Sequence, residues 1–238
     1  MFNQSTETTV FSSRMSDPVR RADYLEVQLC DHESLLRTSS EKFVQDIFSR
    51  VYEAQISSFY PQLITIIRQD NSFAAVAGVR AAETEELFLE HYLDSPIEQI
   101  LLTPRRNIIE IGNLAPSDAG QARWLIVTLN TFMVSAGFTH VVFTAVPRLR
   151  NAFRRMGLPL TELADATADH LSEQERQDWG HYYDDNPVVC VGDLRVGESS
   201  LDRVAKTDRS LEDLCQRTAL LGRKFRAHLD HESSELVT

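Results

Sequence analysis

The sequence predicts an α/β fold: a mixed central sheet with splayed parallel strands, flanked by helices, followed by a helical C-terminal extension. Three observations predict it. Residues 105 to 163 run strand, loop, long helix, strand, short helix, strand, the order that places two strands in parallel. Gly112 interrupts the most strand-like segment, where glycine weakens pairing and signals a bulge or a close backbone approach. From Glu198 onward the composition turns to charged helix formers.

Residues 1 to 20 are rich in Ser and Thr without apolar periodicity and read as a flexible lead-in. LEVQLC at 25 to 30 alternates like a strand. Thr38 and Glu41 give a capping signal for a helix with a Phe43, Ile47, Val51, Ala54 stripe, closed before Pro61. QLITIIRQD and SFAAVAGVRAA form a hairpin about Asp70 and Asn71, with Gly78 and Arg80 at its end. LFLEHYLDSPIEQIL reads as a short helix broken near Pro96, and RRNIIEIGNLA as the strongest strand.

The loop PSDAG leads into ARWLIVTLNTFMVSAG, a buried helix ended by Gly137. THVVFTAV is a continuous apolar strand of a sheet interior. In PRLRNAFRRMG, Pro147 suits a first helical turn, Leu149, Phe153 and Met156 make a stripe, and Gly157 stops it. LPLTELA and PVVCVGDLRV, the latter at 187 to 196, complete the sheet. In the tail, Val204, Leu211, Phe225, Leu214 and Leu221 share one side, interrupted by Thr218. That face suits packing on the core or a homodimer through the C-terminal extension.

The chain has 238 residues and a net charge of −11, from 24 basic and 35 acidic side chains, which opposes binding to nucleic acid or anionic membrane. No apolar run approaches the ~18 residues of a membrane span, and the first residues carry no secretory h-region, so the expectation is a cytoplasmic protein. Cys30, Cys190 and Cys215 are odd in number and far apart, which predicts neither a disulfide framework nor a zinc site. His228 and His231 on one helix face make too few ligands for a metal.

Ser117 to Ala122 presents amides beside a helix N-terminus, suited to a phosphate. Glu110 lies on an apolar strand, where a carboxylate is either paired, with Arg80 or Arg106, or poised as a general base. Asn113 either orients a carbonyl or satisfies local backbone. Arg148, Arg150, Arg154 and Arg155 form a basic face, solvated or steering an acidic partner. Trp179, His181, Tyr182 and Tyr183 form a dense cluster that packs beside a strand or walls a pocket.

EIGNLA, the helix ending SAGF, VVFTAV, LRNAFRRMGL and WGHYYDDNPVVCVGDL resemble the thermostable hemolysin family within the GNAT acyltransferase superfamily. The likeness spans about residues 24 to 197 and implies a GNAT-like acyltransferase domain over 21 to 197, with 198 to 238 appended. It implies an N-acyltransferase with no tightly bound cofactor and no metal. The acyl chain would move from a phosphopantetheine thioester, on acyl carrier protein or coenzyme A, to a small-molecule amine. Glu110 and Asn113 become the catalytic expectation; Gly120, Gln121, Ala122 and Asn151 the donor cradle; Arg80, Arg148, Arg150, Arg154 and Arg155 the substrate and carrier contacts. Gly120 and Ala122 match the superfamily's phosphate loop, whose leading basic or amide residue is missing.

The chain also resembles acyl-homoserine-lactone synthases, matching the carboxylate of their Glu-x-Ser-Arg strand at Glu110 and a strand arginine at Arg80. Where many GNAT enzymes place a tyrosine to protonate the departing thiolate, this chain has Phe153. Two alternatives stand beside transfer: a membrane-active hemolysin, and a catalytically inactive GNAT-like binding module.

Overall fold

A computed structural model describes residues 25 to 235. Seven strands form one sheet: β1 (Leu25–Cys30), β2 (Gln62–Arg68), β3 (Phe73–Ala81), β4 (Ile108–Pro116), β5 (His140–Ala145), β6 (Thr161–Asp165) and β7 (Val188–Asp193). Their order is β1-β2-β3-β4-β5-β7-β6, and the parallel neighbours are β4 and β5. The helices are α1 (Arg37–Tyr52), α2 (Ile97–Leu101), α3 (Ala119–Ser135), α4 (Pro147–Arg155), α5 (Glu173–Asp178), α6 (Leu194–Ala205) and α7 (Arg209–Glu235).

Alternation along β4 divides the core between the sheet's two faces. Ile109 and Ile111 pack with Leu125, Leu129 and Phe132 of α3 and with Leu211, Leu214 and Phe225 of α7. Ile108 faces the other way, onto Leu87, Leu89 and Ile97. Val44, Ile47 and Phe48 of α1 cover Leu63, Val76 and Ala115. The α3 helix is apolar nearly all round because the sheet covers one side of it and the two C-terminal helices another.

Several boundaries differ from the sequence reading. The first residue of α1 follows Leu36, which offers no side-chain cap; Glu41 binds Arg37 instead. Its buried stripe is Val44, Ile47 and Phe48, whereas Val51 is exposed and Ala54 lies beyond the helix, which ends where Glu53 turns left-handed. The strand expected to reach residue 196 stops at Asp193, whose carboxylate caps Arg195 N–H and starts α6 before the composition shifts. Of the two readings of the tail, packing on the core is the one seen for Leu211, Leu214 and Phe225, which are buried in the chain's own core.

Gly112 is not the bulge. Between the pairs Gly78↔Gly112 and Val76↔Ala115, β4 uses one residue more than β3, and Asn113 takes the left-handed conformation, φ 48°. Gly112 answers to the second reading, a close approach: the Tyr60 ring lies on it, and an added Cβ would stand 2.6 Å from Tyr60 Oη. Gly78, opposite, meets the same side chain, with Tyr60 Cβ 2.6 Å from its own added Cβ. Two glycines paired across strands thus form the floor on which Tyr60 rests.

Candidate active site

Parallel pairing of β4 with β5 runs from Ile108 opposite His140 to Glu110 opposite Val142 and stops there. Beyond this fork the strands separate around a cavity of about 420 Å³. Leu114, Leu125, Leu149 and Ala152 line its α3–α4 side; Phe48, Tyr52, Phe88, Trp179 and Tyr182 line the other. Tyr60, Arg80 and Asn113 lie between them.

The aromatic wall is held by backbone bonds. Gln55 N–H donates to Asp178 O at 2.6 Å and His181 N–H to Tyr52 O at 2.8 Å, stapling the segment after α5 to the end of α1. Tyr182 bonds Thr144 through its hydroxyl at 3.1 Å, and Tyr183 bonds Tyr92 behind the wall. His181 is exposed, between Glu53 and Asp184; its bond to Asp184 raises its pKa. It does not line the cavity.

Glu110 sits at the fork, 1% exposed, one layer behind the cavity. Its Oε2 accepts the Phe88 N–H at 3.0 Å and its Oε1 the Leu89 N–H at 2.9 Å, at the start of a 3-10 turn (Phe88–Tyr92). The Tyr60 phenol lies close enough to lower the pKa of this carboxylate. Arg80 Nη1 is 3.8 Å away, with Glu85 on its other side. Burial outweighs these favourable contacts and pushes the Glu110 pKa from 4.5 to about 7. Arg106 is not its partner; the Arg106 carbonyl accepts from Arg226.

Tyr60 was not singled out in the sequence. Its N–H donates to Asn113 Oδ1 at 3.1 Å, and its carbonyl accepts from buried Arg37 at 2.8 Å. The Arg80 guanidinium stacks on its ring, 4.9 Å from the centroid. Burial, then the Glu110 charge, raise its phenol pKa well above 10. The sequence signal was the glycine pair, visible only once the β3–β4 register is known. Asn113 holds the segment before β2, since its Nδ2 also donates to Ser58 O at 3.4 Å.

The start of α3 is already occupied. Asp118 is its cap, accepting the Gln121 N–H at 3.0 Å, with Arg68 3.8 Å from the carboxylate. Ala122 lines the cavity, but a phosphate at Gly120 or Gln121 would meet the Asp118 charge. Along α4, Arg148 and Arg155 line the cavity, Arg148 stacking on Tyr52 at 4.7 Å. Arg150 turns away to Glu162, and exposed Asn151 and Arg154 do not line it. The expected basic face therefore divides in two. Phe153 is buried against Phe143, ring centroids 5.0 Å apart, and supplies no proton.

Among the described residues, no group of three or more His, Cys, Asp or Glu could hold a metal ion, and no helix is long and apolar enough to cross a membrane.

A mixed sheet whose parallel pair forks over a cavity, with a helix on each flank of the fork, defines a GNAT-like fold. Three solved structures share it. The acyl-homoserine-lactone synthase LasI aligns at TM-score 0.52 and 10% identity, over 76% of this chain and 95% of its own. FeeM, an N-acyl amino acid synthase from uncultured soil microbes, aligns at TM-score 0.52 and 8% identity, over 75% and 96%. BjaI, a coenzyme A-dependent acyl-homoserine-lactone synthase solved with SAM and isopentyl-CoA, aligns at TM-score 0.51 and 12% identity, over 76% and 89%. The chain itself belongs to the thermostable hemolysin family, whose model matches residues 30–198. No curated protein sequence matches it.

Proposed function

We propose that this protein is an N-acyltransferase that moves an acyl chain from a phosphopantetheine thioester to a small amine. The observation that carries the reading is the forked cavity with a buried carboxylate of near-neutral pKa one layer behind it, at the fork. Among the described residues, the edge of β4 that faces β5 has no strand partner past Glu110, leaving it free to align an extended donor arm and its thioester carbonyl. The apolar wall of the cavity suits an acyl chain, and the aromatic side an acceptor with an apolar body. The structural neighbours include synthases of N-acyl products, which supports the same chemistry.

Acyl carrier protein is the donor carrier that fits this site better than coenzyme A. Asp118 opposes a diphosphate at the α3 N-terminus, while Arg148 and Arg155 stand at the cavity to receive a singly phosphorylated arm and an acidic carrier. The protein would work without a resident cofactor or metal.

The test incubates the full chain with decanoyl-carrier protein or decanoyl-coenzyme A and the common amino acids, followed by mass spectrometry. An N-decanoyl product that forms faster from the carrier protein supports the reading. No product from either donor, together with lysis of red cells by the protein alone, would replace it with the hemolytic activity in the family's name.

A further inference from the structure

We propose that Tyr60 is the proton carrier of the site, linking the reacting nitrogen and sulfur in the cavity to Glu110 behind it. The inference rests on the acyl-transfer reading and assigns a catalytic residue to it.

The need for a carrier follows from placement. Glu110 is 1% exposed and absent from the cavity lining, so a substrate amine cannot reach its carboxylate directly. Tyr60 lines the cavity and lies beside that carboxylate: Arg80 stacks on its ring while standing 3.8 Å from Glu110 Oε2, and its Oη lies over Gly112, two residues along β4 from Glu110. The other cavity phenols lead elsewhere: Tyr182 bonds Thr144, and Tyr52 carries Arg148 on its face. Phe153, on the α4 side, has no hydroxyl.

The position of Tyr60 is fixed from every direction. Gly78 and Gly112 lie beneath the side chain, Arg80 stacks on it, Asn113 holds its N–H and Arg37 its carbonyl. A ring held this tightly keeps its hydroxyl over β4 beside Glu110, the fixed placement that proton transfer in a transition state requires.

The chemistry balances with these two residues alone. The amine nitrogen attacks the thioester carbon and a C–N bond forms. Its proton passes to Tyr60 Oη as the Tyr60 proton passes to the Glu110 carboxylate. The adduct then collapses, the C–S bond breaks with its electron pair on sulfur, and the proton returns from Glu110 through Tyr60 to the thiolate. One proton has moved from nitrogen to sulfur, and both residues are restored. A thiol pKa of about 8.5 makes the return step favourable from an acid near 7. Tyrosinate is never needed, which agrees with a phenol pKa raised well above 10.

The titration of Glu110 is set by its burial, opposed by the Leu89 amide, Arg80, the Phe88 amide and Tyr60; across the 3-10 turn, Tyr92 feels the Glu110 charge in its own raised pKa. The Tyr60 hydroxyl is one of the contacts favouring the carboxylate, so its loss should raise the Glu110 pKa further.

The test compares wild-type, Tyr60→Phe and Glu110→Gln full-length protein, with decanoyl-carrier protein or decanoyl-coenzyme A and the common amino acids. Tyr60→Phe keeps the ring on its glycine floor, and circular dichroism should match the wild type. Its kcat should fall about 10²-fold with KM little changed. The rising limb of its pH–rate profile, and the carboxyl titration of Glu110 followed by infrared difference spectroscopy, should move to higher pH. A Tyr60→Phe protein with wild-type kcat and unmoved titration, beside an inactive Glu110→Gln, would overturn the relay and leave the base in place. Wild-type protein that turns over neither donor would overturn the acyl-transfer reading and the relay with it.

Discussion

Glu110 and Asp118 stand at the two ends of the open stretch of β4, and both accept backbone N–H groups at the start of a helical turn. Their pKa values nonetheless move in opposite directions, up to about 7 at Glu110 and down at Asp118. Glu110 has two amide donors, with a phenol and a guanidinium nearby; Asp118 has the Gln121 amide, a serine hydroxyl and a more solvated arginine. The difference is water. The Asp118 side chain is 59% exposed and Glu110 1%, and at Glu110 loss of hydration outweighs a comparable set of donors. One carboxylate is a helix cap; the other is poised to exchange a proton at neutral pH.

The largest test of this contrast removes the buried charge. Glu110→Gln should cut turnover by roughly 10² to 10⁴, the range for loss of a general base, measured with either acyl donor. It also places an amide NH₂ against the Phe88 or Leu89 N–H, and the lost acceptor should destabilise the protein by about 1 to 3 kcal/mol in urea denaturation.

A smaller effect appears in stability against pH. A folded pKa near 7 against an unfolded 4.5 means the folded state binds the Glu110 proton more tightly. Its contribution is therefore fully present below 4.5 and is lost as pH rises through 7, about 3 kcal/mol in all. Asp118 works with the opposite sign, its contribution present above the unfolded value and lost as pH falls through its lowered one. Denaturation midpoints between pH 4.5 and 7 should thus fall more steeply in the wild type than in Glu110→Gln. Parallel curves would show that the carboxylate stays ionised throughout.

The smallest effect belongs to the exposed partner. Asp118→Ala should cost about 1 kcal/mol as the loss of a helix cap, with turnover from the carrier protein retained. Because it frees the Gln121 amide and removes a negative charge, affinity for decanoyl-coenzyme A should rise. Unchanged affinity in a binding titration would show that Asp118 does not select the donor.

The fork was legible in the sequence because strand, loop, helix and strand in that order force a parallel pair, and Glu110 stood out as a charge in an apolar strand. The cap at Asp118 was within reach too, since an Asp two residues before Gly120 at a helix start is a capping signal. It was read for its free amides instead, overlooking that a cap fills them. Tyr60 was out of reach. Nothing local marks it, and its role follows from Gly78 pairing with Gly112, a register displaced by the extra residue at Asn113. The basic face failed for a similar reason: four arginines on one short helix look alike until its axis is placed, after which two meet the cavity and Arg150 meets Glu162.

The point at which β4 leaves β5 also sets a length. From Gly112, the second residue past the fork, to Ser117, just before the Asp118 cap of α3, is five residues, roughly 16 Å of strand. On the proposed reading, a donor lying along that edge would place its thioester at the fork and run beyond it to Arg148 and Arg155 at the cavity. Short thioesters that lack the phosphate end could still reach the fork, but nothing would hold them at its mouth. If the protein transfers acyl groups as proposed, the separation of the strands would act as a ruler, selecting donors by the reach of the arm as well as by the group it carries.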